Sequence, residues 1–187
     1  MVIGEIPFTL KDGREAVLRS PLVSDAEAML DFIKKASGET EFLMNYPEEY
    51  DGYSLEMEEA FIRGSNDSEN GEMLACFVEG EFAGNCQISF RTGLKARHRA
   101  SVAIAILKQY WGLGIGTRMF TELFRIAEQR GGIRQIELEF IEGNSRARHL
   151  YEKMGFRITG IKPDAIRLRD GRFMNEYMMV KRLDQEG

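Results

Sequence analysis

Long apolar runs are missing from this chain. No stretch approaches the ~18 consecutive apolar residues that would cross a bilayer as a helix, so no membrane partner is expected. A basic excess is missing too: 25 Lys and Arg stand against 30 Asp and Glu, a formal net charge of −5 and a pI of about 5.3. Nucleic-acid binding rests on clustered cations meeting phosphates, so nucleic acid is not an expected partner. Cysteine is scarce. Cys76 and Cys86 both sit in apolar, strand-like runs, which suits two buried free thiols in a reducing cytoplasm better than a disulfide. The opening MVIGEIPFTLKDGRE lacks the basic region and apolar run of a secretory leader. Internal repeats, low-complexity tracts and linkers are absent as well, so one domain over residues 1–187 is expected.

What is present is organised around Ala100–Arg130, ASVAIAILKQYWGLGIGTRMFTELFRIAEQR. Val102–Leu107 reads as a buried strand. The turn Gln109-Tyr110-Trp111-Gly112-Leu113-Gly114-Ile115-Gly116 follows. Met119, Phe120, Leu123, Phe124, Ile126 and Ala127 then recur at helical spacing. Strand, glycine turn and helix together favour an anion. Glycine lets backbone approach a ligand closely, and the helix start presents free N–H groups and a positive dipole end. The turn is not a nucleotide P-loop, because no Lys-Ser or Lys-Thr follows its glycines. It is not the dinucleotide fingerprint G-x-G-x-x-G either, because the third glycine comes too early. A tight connection that binds nothing is the plain alternative.

Along the chain, Glu5–Arg19 reads as a hairpin turning at Asp12-Gly13. Ser24 with Glu27 reads as a capping box for a helix carrying Ala28, Met29, Phe32 and Ile33. Residues 38–52 look irregular. A second helix begins at Ser54, and residues 64–71 read as a loop. Strands 72–78 and 81–90 form a hairpin at Glu79-Gly80. After the central strand and helix, Gly131-Gly132 ends the helix, Ile133–Ile141 is a strand, and Asn144–Met154 is a short helix. A last hairpin turns at Asp170-Gly171, with Phe173–Leu183 as its second strand. The expected order is β-β-α-α-β-β-β-α-β-α-β-β.

The most specific stretch is Asn144-Ser145-Arg146-Ala147-Arg148-His149-Leu150-Tyr151-Glu152-Lys153-Met154-Gly155-Phe156. Asn144 can cap a helix, Ala147, Leu150, Tyr151 and Met154 share a face, and Gly155 suits a left-handed helix end. Gln109-x-x-Gly112-x-Gly114 resembles the Q/R-x-x-G-x-G/A turn of the GCN5-related N-acetyltransferases (GNAT). The later stretch is similar to that family's N-x-x-A-x-x-L-Y-x-x-x-G-F segment at every position. The resemblance implies a mixed α/β, GNAT-like acyl-CoA N-acyltransferase fold: a mostly antiparallel twisted sheet flanked by helices, with one splayed parallel strand pair, here 100–108 and 133–142. It also implies acetyl-CoA as co-substrate, no metal, a small-molecule or peptide amine as acceptor, and a possible homodimer. Coenzyme contacts would come from the backbones of Ile104 and Ile106, from Gln109, Trp111, Gly112, Leu113, Gly114, Ile115, Gly116 and Thr117, and from Asn144.

The implied reaction needs a neutral amine, donors for the oxyanion, and an acid for the leaving thiolate. Tyr151 matches the family's acid position, and a strand N–H near Ile106 would serve the oxyanion. His98, at the start of the organising strand, is the candidate base. Glu139, Glu39 and Glu41 are rivals, a water relay is another route, and His149 lies on a different helical face from Tyr151. The acidic residues 39–51 can favour a cationic acceptor. Arg91, Lys95, Arg97 and Arg99 can reach a phosphate of the coenzyme. A non-catalytic acyl-CoA sensor, or an enzyme acting on ribosomal-protein or other protein N-termini, are the alternatives.

Overall fold

The computed structural model describes residues 2–183. Twelve elements follow in the expected order. These are β1 (Ile6–Thr9), β2 (Glu15–Arg19), α1 (Ala26–Glu39), α2 (Leu55–Asn66), β3 (Gly71–Val78) and β4 (Glu81–Phe90). After them come β5 (Arg99–Ile106), α3 (Ile115–Arg130), β6 (Gln135–Ile141), α4 (Ser145–Lys153), β7 (Arg157–Arg167) and β8 (Phe173–Arg182). One eight-stranded sheet has the order β1-β2-β3-β4-β5-β6-β8-β7. Only β5 and β6 pair in parallel among the described registers, through Arg99↔Gln135, Ala100↔Ile136 and Ser101↔Glu137. Both strands run on past those three pairs, to Ile106 and Ile141.

The chain divides into two compact units. The first holds the chain through Ser89 together with Ala103–Met119. Its strands are antiparallel, and Leu18, Leu74 and Ile88 are fully buried in it. Glu79 and Gly80 both take positive φ, the backbone sense of a two-residue I′ hairpin turn, which explains the tight β3–β4 connection. Between Cys76↔Gly84 and Phe77↔Phe82 the register shifts, leaving Ala83 as the extra residue of a bulge. Gly84 is required there, because a Cβ would stand 2.6 Å from the Ala105 carbonyl oxygen.

Two local readings are corrected. Ser24 does not cap α1. It lies in a short 3₁₀ turn, Val23–Asp25, and Asp25 takes the capping role there: its carboxylate accepts from the Leu22 N–H at 2.7 Å and pairs with Arg19 at 2.6 Å. Asp25 wins because Arg19 holds it in place. Residues 64–66 are helix, not loop. Ser54 caps α2 by accepting from the Met57 N–H at 3.3 Å, and Ile62, with no exposed surface, holds the following turn inward despite Gly64.

The second unit holds Phe90–Val102 and the chain from Phe120 onward. Arg99 clasps Glu137 with both Nε and Nη2, the latter at 2.8 Å, across the parallel pair. The His98 carbonyl accepts from the N–H groups of Arg134 and Gln135 at 2.8 and 3.3 Å. Phe120, Leu123, Ile136, Phe156 and Met179 form its buried centre.

Candidate functional site

The glycine turn is built in the first unit. Leu107 is buried and donates its N–H to the Ala83 carbonyl at 2.9 Å. One 3₁₀ turn, Lys108–Tyr110, then reverses the chain. The Trp111 indole N–H returns to the Ile106 carbonyl at 2.7 Å, and the Glu39 carboxylate accepts from the Lys108 N–H at 2.6 Å. Gly112 and Gly114 adopt φ of +80° and +102°, a conformation L side chains rarely take. Gly116 does not; it lies buried in the first turn of α3. The main-chain N–H groups of Gly112, Leu113, Gly114, Ile115 and Gly116 have no acceptor among the described residues. No acidic residue stands in the first turn of α3. A row of free donors at a positive dipole end, with no carboxylate on the segment, suits an anion.

The second unit holds Asn144 and Tyr151. Asn144 accepts from the Ala147 N–H at 3.1 Å through its side-chain oxygen, capping α4. That leaves its amide NH₂ available. Gly155, with φ of +89°, ends α4, and the Phe156 N–H returns to the Tyr151 carbonyl at 3.0 Å. Tyr151 is 8% exposed and packed by Phe120, Phe140 and Phe156, with ring centroids 5.7, 5.7 and 6.3 Å away. Its hydroxyl has no hydrogen-bond partner among the described residues. Burial pushes its pKa up to about 12, so the phenol is a neutral donor across the physiological range.

The family model described as "Acetyltransferase (GNAT) family" matches residues 38–156. This chain belongs to the GNAT acetyltransferase family. It is an acyltransferase enzyme by that membership. A similar protein is the N-alpha-acetyltransferase of Sulfurisphaera tokodaii, 30% identical over 148 residues, which span 79% of this chain and 83% of that one. Among solved structures, a GNAT-family acetyltransferase from Streptococcus pneumoniae superposes with a TM-score of 0.81 at 29% identity, over 90% of this chain and 99% of that one. The acetyltransferase yncA from Salmonella typhimurium, solved with its cofactor acetyl-CoA, has the same fold. Its TM-score is 0.76 at 17% identity, over 92% of this chain and 96% of that one.

In this GNAT chain the glycine turn is open to solvent. A Cβ on Gly112 would meet nothing within 4 Å, so the space over the turn is open. Ile104 and Ile106 are half-buried rather than buried, and Ala103 is exposed. The apolar run therefore does not make a core strand. Its far half keeps open surface beyond the three residue pairs of the parallel ladder. Gln109 is exposed and Thr117 half-buried. His98 is half-buried in the turn before β5. It stands at the opposite end of that strand from Gln109, a span of roughly 26 Å for eight strand residues.

The rivals for the base are occupied differently. Glu139 pairs with Lys162 at 2.6 Å, and Glu39 holds the Lys108 N–H. Within the acidic segment, Glu49 accepts from the Tyr46 N–H at 2.5 Å. In the basic strip, Arg99 is engaged by Glu137. Two contacts to the glycine turn escaped sequence reading, Glu39 to Lys108 and Lys11 to Leu113, each across more than sixty residues. Nothing periodic in the sequence marks either.

Proposed function

We propose that this enzyme transfers an acetyl group from acetyl-CoA to a primary amine, the α-amine of an amino acid or peptide being the first acceptor class to test. The observation that carries the reading is the row of five consecutive unpaired N–H groups over Gly112–Gly116. Backbone donors in that number match the oxygens of a diphosphate. Similarity to an N-alpha-acetyltransferase supports the acceptor class.

Bound acetyl-CoA would supply a thioester carbonyl for attack by the amine, giving an amide and free thiol. This chain's own residues bind and move protons. The turn amides hold the diphosphate, the β5 backbone at Ile104 and Ile106 offers groups to the pantetheine arm, and the Asn144 amide adds a donor. The Ile106 carbonyl already accepts from Trp111, so its remaining lone pair is what it can offer. Tyr151 Oη donates its proton toward the departing sulfur. Its raised pKa makes it a stronger holder of that proton than a free phenol, so its role is hydrogen-bond donation to a developing thiolate and not complete early transfer. His98 lies before the start of β5, far along the strand from Ile106, so the amine's proton is assigned to a water relay, with His98 able to receive it only at the end of that relay.

The test is acetyl transfer from labelled acetyl-CoA to a pooled panel of amino acids, N-terminal peptides, polyamines and aminoglycosides, with thermal stability followed alongside. Stabilisation by saturating acetyl-CoA and labelled amide on an α-amine are expected. No stabilisation would remove the coenzyme from the reading. Stabilisation without transfer to any amine would make the protein an acyl-CoA sensor.

A further inference from the structure

The first hairpin reaches the glycine turn. After β1 the chain turns over Leu10-Lys11-Asp12-Gly13, closed by the Gly13 N–H to the Leu10 carbonyl at 3.0 Å and the Leu10 N–H to the Arg14 carbonyl at 2.8 Å. Leu10 is buried and anchors it. From this turn the Lys11 N–H donates to the Leu113 carbonyl at 3.1 Å, and the Lys11 side chain would lie 3.9 Å from a Cβ on Gly114. Two further contacts brace the same junction. The Arg14 guanidinium, held by Asp12 at 2.8 Å, lies 5.4 Å from the Tyr110 ring centroid, and Arg118 lies 5.8 Å from that of Phe8.

The Lys11–Leu113 bond has a directional consequence. In a trans peptide the carbonyl and the following N–H point in opposite directions, and no peptide among the described residues is cis. Fixing the Leu113 carbonyl on Lys11 therefore points the Gly114 N–H away from the hairpin. That N–H is one of the five without an acceptor. Gly114, at φ +102°, has a broad range of alternative conformations, so its amide needs an external hold.

We propose that the hairpin turn at Lys11 is a coenzyme-positioning element. Its main-chain N–H holds the Leu113 carbonyl and thereby aims the Gly114 N–H at the diphosphate. This rests on the acetyl-CoA reading above, and the experiment separates the two.

The turn itself supplies a clean probe. Neither Lys11 nor Asp12 has positive φ, so the turn has the sense of type I, whose second position favours proline. Lys11→Pro keeps the turn, removes the N–H and puts its Cδ where the hydrogen pointed, which drives the Leu113 carbonyl off its hold; Lys11→Ala keeps the N–H and removes the ammonium. Calorimetric titration with CoA should give Lys11→Pro an affinity at least about 3-fold weaker, the loss of one main-chain hydrogen bond together with the displaced carbonyl, and a larger rise in the acetyl-CoA KM than fall in kcat. Lys11→Ala should bind as the native chain does. Equal affinity in Lys11→Pro overturns the proposal, and so does an equal loss in Lys11→Ala, which would make the ammonium responsible. A native chain that fails to bind CoA at all overturns the coenzyme reading instead. Should Lys11→Pro fail to fold, amide exchange in the native chain decides: saturating CoA should slow exchange at the Lys11 N–H, by reciprocity between the bond and the ligand. An unchanged rate there overturns the proposal.

Discussion

The Tyr151 ring is buried against Phe120 and Phe140, and its hydroxyl has no protein partner among the described residues. The ring is buried but the hydroxyl oxygen is not among the fully buried unpaired polar atoms, so water can solvate it until a ligand atom takes that place. Tyr151→Phe keeps the ring contacts and removes the donor. We expect kcat to fall by roughly 10²-fold with little change in the acetyl-CoA KM, measured by steady-state kinetics. An unchanged kcat would leave Tyr151 as core packing. Glu39 makes a different case. It ends α1, where the helix dipole disfavours a carboxylate, yet it reaches Lys108 at the entry to the glycine turn. Glu39→Gln retains an acceptor oxygen and should leave the acetyl-CoA KM near native. Glu39→Ala should raise it about 3- to 10-fold, the worth of one main-chain hydrogen bond. A Gln variant as impaired as the Ala variant would show that charge matters and not the bond. Tyr151 was singled out because Asn144, Ala147, Leu150 and Gly155 stand around it in one short segment that resembles the family's. Glu39's partner was not, because only the folded chain brings residue 108 to residue 39.

At the scale of elements, legibility tracked how local the determining contacts are. α4 was read with its cap, its face and its glycine stop, since Asn144, Ala147 and Gly155 all act within one short segment. The start of α1 was misread because Asp25 is selected over Ser24 by Arg19 on a neighbouring strand. β5 was misread as core because apolar composition alone cannot distinguish a covered strand from one with open surface past a three-pair ladder. The bulge at Ala83 left no sequence trace beyond Gly84. That glycine supports an element-scale prediction. A methyl at position 84 would stand 2.6 Å from the Ala105 carbonyl oxygen and 3.1 Å from Ile106 Cα, both backbone atoms that cannot rotate away. Gly84→Ala should therefore push β4 from β5 and destabilise the fold by about 1–3 kcal/mol, the usual range for overpacking, in a denaturant melt. Native stability in that variant would mean the bulge absorbs the methyl. Asn144→Ala, in contrast, should cost about 1 kcal/mol through the lost cap.

For the whole molecule, element order was read correctly, whereas the strand order, with β8 between β6 and β7, was not read at all, because long-range pairing has no local code. Each compact unit nevertheless buries one group that makes total stability sensitive to alkali. In the first, Cys76 is fully buried and burial alone raises its thiol from 9.0 to about 12. In the second, burial alone raises Tyr151 from 10.0 to about 12. Both groups hold their protons more tightly folded than unfolded. Between the unfolded and folded values the unfolded chain therefore binds fewer protons, and stability falls as pH rises. The loss should begin near pH 9 through Cys76, steepen above pH 10 as Tyr151 joins, and level off near 12. Each group contributes a slope of at most about 1.4 kcal/mol per pH unit. Urea melts from pH 8 to 11.5 should show this, and Tyr151→Phe should flatten the curve only above pH 10, whereas Cys76→Ala should flatten it from pH 9. The same slope above pH 10 in native and Tyr151→Phe chains would mean that the phenol is as well solvated folded as unfolded, which would also undo its assignment as a buried donor.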